Sequence, residues 1–392
     1  MTPSVLLISL DTLRVDVATS GKYPTFERLA RDGTSFTHAV ASAPLTPVSH
    51  ASVLTGLQPF NHGVRHLFRE QLAPGVRTLQ AVLQNVGYTT GAVVSCPGLH
   101  RWYGMDDGFS HYDDEIPLLA DGRDPLEVVD VEIRGTALKR APVVVERALS
   151  WLDQVKSEPF FGFVHFFDAH WPYEAPTDFG IPVANPYEGE VAYMDHHLGL
   201  LLEGVESMGV SLDELVVVAF SDHGEDLAGW YPNDHAGDLG YPEERGHGAL
   251  LFDATQLVPL WIRAPGRFPA GATARAQVRL VDIAPTILDL LQIPAPPMDG
   301  ESLLPYAEGH RGHRPAYFET YYREELALSK PEFSRLKALR GLRYEDRLKL
   351  IWEVGGDGTW IYELENDPLE RRPLTLSDGL AAVTAKPEVQ GR

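Results

Sequence analysis

The sequence predicts an α/β fold, a mostly parallel central sheet with helices on both faces, followed by a small C-terminal antiparallel subdomain. Three observations carry that prediction. Short, β-branched, unalternating apolar runs recur along the first 265 residues, as buried parallel strands require. Helical patterns separate them, which implies crossovers that cover both sheet faces. From about residue 266 the alternation gives way to closely spaced strand-like runs.

The predicted strands are "SVLLISL" (4–10), "TGAVVS" (90–95), "FFGFVHFF" (160–167), "ELVVVAFS" (214–221) and "LVPLWIRAP" (257–265). The predicted helices are "TFERLARDG" (25–33), "TLQAVLQNVG" (78–87), "VVVERALSWLDQV" (143–155) and "YMDHHLGLLLEGVESMG" (193–209). The first and last of these helices stop at glycine. Residues 278–300 read as a helix opened by Pro285 and closed by a proline-rich turn. "AYFETYY" (316–322), "LRGLRYEDRLKLIWEV" (339–354) and "WIYELE" (360–365) read as the small sheet, and the tail beyond Asp367 as surface packing. The expected units are a catalytic domain over 1–300 and a smaller one over 301–392.

Composition narrows the function. The chain is 44% apolar and 10% aromatic, an ordinary globular balance. Its 33 Lys plus Arg against 55 Asp plus Glu give a net charge of −22, which disfavours a general grip on nucleic acid. The single cysteine, Cys96, excludes an intramolecular disulfide. The N-terminal apolar run is short and lacks a basic flank and a cleavage pattern, so it reads as a strand. No window approaches about eighteen apolar residues, so no membrane anchor is expected. A cytoplasmic location is the expectation, and a homo-oligomer stays open.

In parallel sheets functional groups gather beyond the carboxyl ends of the strands. Here "SVLLISL" ends in Asp11, "FFGFVHFF" in Asp168 and His170, and "ELVVVAFS" in Asp222 and His223. Two aspartates, a histidine and a hydroxyl suit a hard or borderline divalent cation, and soft metals are disfavoured for want of a thiolate. Each residue also has a bland reading, since an Asp after a strand commonly caps a turn. Thr46 opens "TPVSHASVLTG", with Pro47 placed at the first helical position and Thr46 as the N-cap. The free amides of that first turn favour an anion. A hydroxyl held there beside a cation is a candidate nucleophile. His50, four residues on, shares its helix face.

These segments in order resemble the sulfatase-like branch of the alkaline phosphatase superfamily almost end to end. The markers include "ISLDTLRVD" (8–16), "TPVSHASVLTGLQPFNHGV" (46–64), "HFFDAHWPYEAP" (165–176), "FSDHGEDL" (220–227), "GHGALLFDATQLVPLWIRAPG" (246–266) and "IYELENDPLE" (361–370). In true sulfatases a cysteine or serine within CxPSR or SxPSR becomes formylglycine. Here Thr46 takes that place, with Val48 for proline and His50 for arginine, and Cys96 lies in a different context. The set looks more like relatives that use a threonine alkoxide on phosphoesters.

The resemblance implies one divalent metal, with Mn²⁺ favoured and Ca²⁺, Mg²⁺ or Zn²⁺ open, bound by Asp11, Thr46, Asp222 and His223. It implies catalytic roles for Thr46, His170, His247 and His50, and a small anionic ester as substrate. A phosphodiester, phosphonate ester or phosphomonoester is favoured over a sulfate ester; phosphoryl transfer and a silent anion-binding homologue are the rival readings. A second metal held by Asp168, His170 and His247 is a lesser alternative. Arg14 and Asp16 read as an ion pair beside the site, and metal binding by Asp234, His235 and Asp238 as a further idea. Leaving-group specificity is assigned to loops 97–140 and 225–246.

Overall fold

The computed structural model describes residues 3–379 except 129, 177–178, 236–245, 308, 310–313, 330–333, 335 and 346. The larger sheet has nine strands: β1 (Ser4–Leu10), β2 (Thr34–Val40), β3 (Thr89–Val93), β4 (His111–Asp113), β5 (Phe160–Phe166), β6 (Leu215–Phe220), β7 (Leu257–Arg263), β8 (Ala272–Ala274) and β9 (Val278–Arg279). Their order is β4-β3-β5-β1-β6-β7-β2-β8, with β9 beside β2. The strands β4, β3, β5, β1 and β6 run parallel. This places β1 between β5 and β6, so the three strands that end in candidate site residues are neighbours at one sheet edge.

Strand β1 shows why these runs carry no alternation. Val5 and Leu7 enter one core, with Val48 and Leu54 of the helix Thr46–Thr55 and Ile287 of the helix Ile283–Leu290. Leu6, Ile8 and Leu10 enter the other, with Trp151 of the helix Ala141–Val155 and Leu198 of the helix Pro186–Ser207. A strand buried on both faces needs apolar side chains at every position.

Three elements differ from the sequence reading. Strand β7 is antiparallel to both β6 and β2, although its apolar run looks like the others. Strand β2 was not expected, because "TSFTHAV" carries polar residues on its partly exposed face. The predicted helix 278–300 begins only at Ile283, after β9 and a short 3₁₀ turn, with Pro285 in its first turn.

The smaller sheet is β10 (Ala316–Thr320), β11 (Leu339–Tyr344), β12 (Leu348–Glu353) and β13 (Thr359–Glu363), antiparallel in that order. Phe318, Leu339 and Ile351 share a core with Val40, Leu251 and Phe252. A buried charge cluster reinforces this junction. Lys349 Nζ lies 2.8 Å from both Asp253 Oδ1 and Glu370 Oε1, and Arg343 pairs with Asp253 at 3.1 Å. Burial alone would raise the Asp253 pKa, but Arg343 and Lys349 hold it well below the usual carboxylate range. The tail is therefore not all surface packing, because Glu370 is buried; residues beyond 379 lie outside the described set. Among the described residues no helix is long and apolar enough to cross a membrane.

Removing one member of a buried ion cluster leaves uncompensated charge. Lys349→Met is expected to lower the unfolding free energy by about 3–5 kcal/mol, read from denaturant midpoints; a loss under about 1 kcal/mol would place this cluster with weak surface pairs.

Candidate active site

At the end of β1 the chain turns sharply through Thr12, whose φ is +56°, a conformation uncommon for a non-glycine residue. The turn is stitched to the end of β6. Leu13 N–H donates to Ser221 Oγ at 2.9 Å and Thr12 N–H to Asp222 Oδ1 at 3.3 Å. Gly224 completes the "SDHG" turn. A Cβ there would lie 2.1 Å from the Ala254 carbonyl oxygen, and its N–H bonds the Thr255 carbonyl at 2.9 Å, so only glycine permits the approach.

These turns bring Asp11, Asp222, His223 and Thr46 together. Asp11, Asp222 and His223 each offer a ligand atom within 4.8 Å of the others. Thr46 Oγ1 donates to Asp11 Oδ2 at 3.2 Å and stands 3.4 Å from His223 Nε2. Asp11, Asp222 and His223 are wholly buried. Burial pushes the Asp11 carboxyl up to about 6, and burial with the Asp11 charge raises Asp222. Burial opposes charging of His223, but Asp222 and Asp11 override it and raise its pKa.

The donor set fits a divalent cation. Asp11 Oδ1 and Asp222 Oδ2 are buried without a hydrogen-bond partner, which is costly for carboxylates unless a cation faces them. His223 Nδ1 donates to the Gly224 carbonyl at 3.0 Å, so its neutral ring keeps a lone pair at Nε2, toward Thr46 and the two carboxylates.

Two corrections concern the helix start. Leu45 is the N-cap and Thr46 the first helical residue, with Pro47 second. Thr46 Oγ1 therefore does not cap the helix, and its hydrogen bonds go to the site instead. The helix ends at Gly56 with φ +66°, the left-handed stop that glycine provides. His50 does share the Thr46 face, but beneath the site, outside the cavity. Its Nδ1 donates to the Thr46 carbonyl at 2.7 Å, its Nε2 accepts from Ser9 Oγ at 2.8 Å, and burial lowers its pKa to about 4. Both nitrogens of this ring are engaged in these bonds, and His50 does not line the cavity.

Sequence reasoning passed over three residues. His165 Nε2 donates to Asp11 Oδ2 at 3.0 Å, while its Nδ1 faces Ser95, so it orients that carboxylate. Glu225, wholly buried, lies 3.1 Å from His247 Nδ1, and burial pushes it up to about 7. Cys96, set aside on context, adjoins the site after all, with its Sγ within 4.8 Å of Asp11 and His165 ligand atoms. Burial raises its pKa well above the ordinary value, which keeps it a thiol. The "DHGE" spacing was the one available signal for Glu225; nothing in "FVHFF" separates His165 from a core histidine.

His170 and His247 line the same cavity as Thr46, about 570 Å³ in volume, and their ring centroids are 4.8 Å apart. His170 Nδ1 donates to the Trp171 carbonyl at 2.7 Å, and burial lowers its pKa to about 3, so its Nε2 is an acceptor. Asp168, His170 and His247 of the second-metal alternative form no metal-sized cluster among the described residues; one Asp168 oxygen accepts from Ala141 N at the start of the helix Ala141–Val155, at 3.1 Å. Arg14 is buried and pairs with Asp16 and with Asp234, each at 2.7 Å. His235 stacks on Phe252 at 3.8 Å. Neither Asp234 nor His235 is part of a metal-sized cluster among the described residues, and Asp238 lies outside them.

Comparison with known proteins decides the family. The family model described as "Sulfatase" matches residues 3–293. The chain belongs to the sulfatase family. As such it is an ester hydrolase of the alkaline phosphatase-like superfamily. A second model, "N-sulphoglucosamine sulphohydrolase, C-terminal", matches residues 245–389 of this sulfatase-family chain. Arylsulfatase D of Homo sapiens is 23% identical, over 82% of this chain and 71% of that protein. Arylsulfatase G of Rattus norvegicus is 24% identical, over 95% and 82%. The solved phosphonate monoester hydrolase of Agrobacterium radiobacter superposes with a TM-score of 0.75 at 21% identity, covering 97% of this chain and 93% of that one. At that identity the likeness shows the fold.

His165→Phe removes the bond to Asp11 without removing a proposed ligand. It is expected to weaken divalent-metal binding, measured by calorimetry, by about 10–100-fold; unchanged affinity would make His165 a packing residue.

Proposed function

We propose that this sulfatase-family protein is a metal-dependent hydrolase that uses Thr46 as its nucleophile and prefers phosphodiesters, phosphonate esters or phosphomonoesters. One observation carries the reading: the Thr46 hydroxyl sits at a helix N-terminus, within 3.2 Å of Asp11 and 3.4 Å of His223, beside carboxylate oxygens with no partner. Asp11, Asp222, His223 and Thr46 would hold one divalent ion. When bound, that ion offsets the carboxylate charge, favours the alkoxide and polarises the ester.

The side chains supply the rest. Asp11 and His165 fix the carboxylate edge that receives the Thr46 hydroxyl bond. His50, through the Thr46 carbonyl, and Ser9 behind it fix the backbone of the nucleophile. Thr46 gives its hydroxyl proton to Asp11 Oδ2, which it already faces at 3.2 Å; Oγ1 attacks phosphorus in line, and the bond to the leaving oxygen breaks. The amides of the helix's first turn stabilise the transition state. The departing oxygen takes the Nε2 proton of His247 while Glu225, 3.1 Å from Nδ1, passes its own proton to that nitrogen, so the ring stays neutral and Glu225 is left ionised. His170, with its acceptor at Nε2, suits the water that later cleaves the phosphothreonine. Threonine cannot yield formylglycine by the known conversion, which argues against the usual sulfatase route.

A second reading, sulfate-ester hydrolysis, is favoured by the arylsulfatase names of the curated relatives. A matched panel of aryl sulfate, phosphomonoester, phosphodiester and phosphonate substrates separates the two. The expected result is a phosphoester or phosphonate turned over at least about tenfold faster than the sulfate. Thr46→Ala is expected to abolish turnover and Thr46→Ser to retain it. A sulfate preference, or full activity in Thr46→Ala, contradicts the reading.

Chelation supplies an independent check. EDTA is expected to remove activity, and one equivalent of Mn²⁺ or another divalent ion to restore it; insensitivity to EDTA would remove the metal from the account.

A further inference from the structure

Around the reacting groups the same cavity is lined by side chains of a different chemistry. Leu67, Phe68, Trp171, Trp230, Tyr322 and Leu326 contribute to its lining. Trp171 and Trp230 are 47% and 48% exposed, large apolar surface left open at the cavity rather than buried. Trp230 lies 6.1 Å from the Tyr173 ring. Carboxylates enter the lining at Glu225 and Asp226, of which Glu225 faces His247 at the reacting end.

Among the described residues Arg134 is the single lysine or arginine that lines this cavity. Its guanidinium carbon lies 3.8 Å from the centroid of the Phe68 ring. One nitrogen donates to the Leu126 carbonyl at 3.3 Å. Its Nε is buried with no hydrogen-bond partner. Among the described residues no carboxylate stands within ion-pair distance of it, whereas Arg14 and Arg140 elsewhere in the fold are each paired with two acids. Burial lowers the Arg134 pKa, and Tyr103 and Asp124 offset this only in part. In a chain of net charge −22, this is a local positive spot in an apolar wall.

We propose that this wall is a leaving-group subsite for a flat, apolar alcohol of aryl type that carries a second anionic group, with the ring held by the aromatic side chains and the anion paired to Arg134. The inference deepens the proposed ester hydrolysis and rests on it for the identity of the reacting end. A guanidinium stacked on Phe68, with one nitrogen engaged by the Leu126 carbonyl, keeps further N–H donors for a carboxylate, sulfonate or phosphate. Neutral polyhydroxylated leaving groups find few polar side chains on this wall to replace their water.

Binding of product-like alcohols tests the subsite without any turnover. For the metal-loaded full chain, 6-hydroxy-2-naphthoate and 2-naphthol are titrated by tryptophan fluorescence and calorimetry. The naphthoate is expected to bind at least about tenfold more tightly. Arg134→Gln is expected to erase that difference while leaving naphthol binding unchanged, and Arg134→Lys to restore part of it. Equal binding of the two probes by the wild type, or an equal loss of both in Arg134→Gln, overturns the proposal. So does a glucose carrying a carboxylate that outcompetes the naphthoate. If the probes discriminate as expected but no ester of the naphthoate is hydrolysed, the subsite stands and the Thr46 reading falls.

Discussion

Two carboxylates that cannot reach water, Asp11 and Asp222, set the terms for everything around them. Both lie at the ends of neighbouring strands, both are wholly buried, and each leaves one oxygen without a partner. Such a pair is unfavourable in a dry interior unless a counter-charge faces it. The surroundings supply donors to the other oxygens: His165 and Thr46 to Asp11, and the Thr12 and His223 amides to Asp222. What is left over is a set of lone pairs aimed at one place, with the Thr46 hydroxyl on its edge.

The polar layer beneath the site follows from the same constraint. His50 and His165 are neutral rings, and each has a fixed tautomer because one nitrogen meets an oxygen acceptor, the Thr46 carbonyl or the Asp11 carboxylate. Ser9 and Ser95 take up the remaining nitrogens. A protonated ring at either place would add charge where burial already disfavours it. On the far side, Arg14 ties Asp16 and Asp234 together and so pins the segment that carries Trp230 next to the cavity.

Much of this was legible in the sequence because it depends on strand ends. Apolar runs located β1, β5 and β6, and the first ionisable residues after them are Asp11, Asp168 with His170, and Asp222 with His223. What stayed hidden depends on direction, phase or distance. An apolar run reads the same in either direction, so the antiparallel course of β7 left no mark. The one-residue error at Thr46 arose because proline fits the second helical position as well as the first. His165 sits inside a buried strand, where a histidine looks like core. Asp168 reads as a ligand by position, but one of its oxygens meets the start of a helix and the residue joins no metal-sized cluster among the described residues. Cys96 and Glu370 meet their neighbours only through the tertiary fold.

The central claim is that the buried carboxylate pair exists to face a divalent cation, and thermal unfolding measured with and without metal tests it most directly. For the wild type, EDTA treatment should lower Tm, and added divalent ion should raise it in proportion to the logarithm of its concentration. The double variant Asp11→Asn/Asp222→Asn should unfold at a higher temperature than the metal-free wild type and ignore added metal, because the repulsion and the site disappear together. A metal-free wild type as stable as the loaded protein, with the double variant less stable than both, would contradict the account.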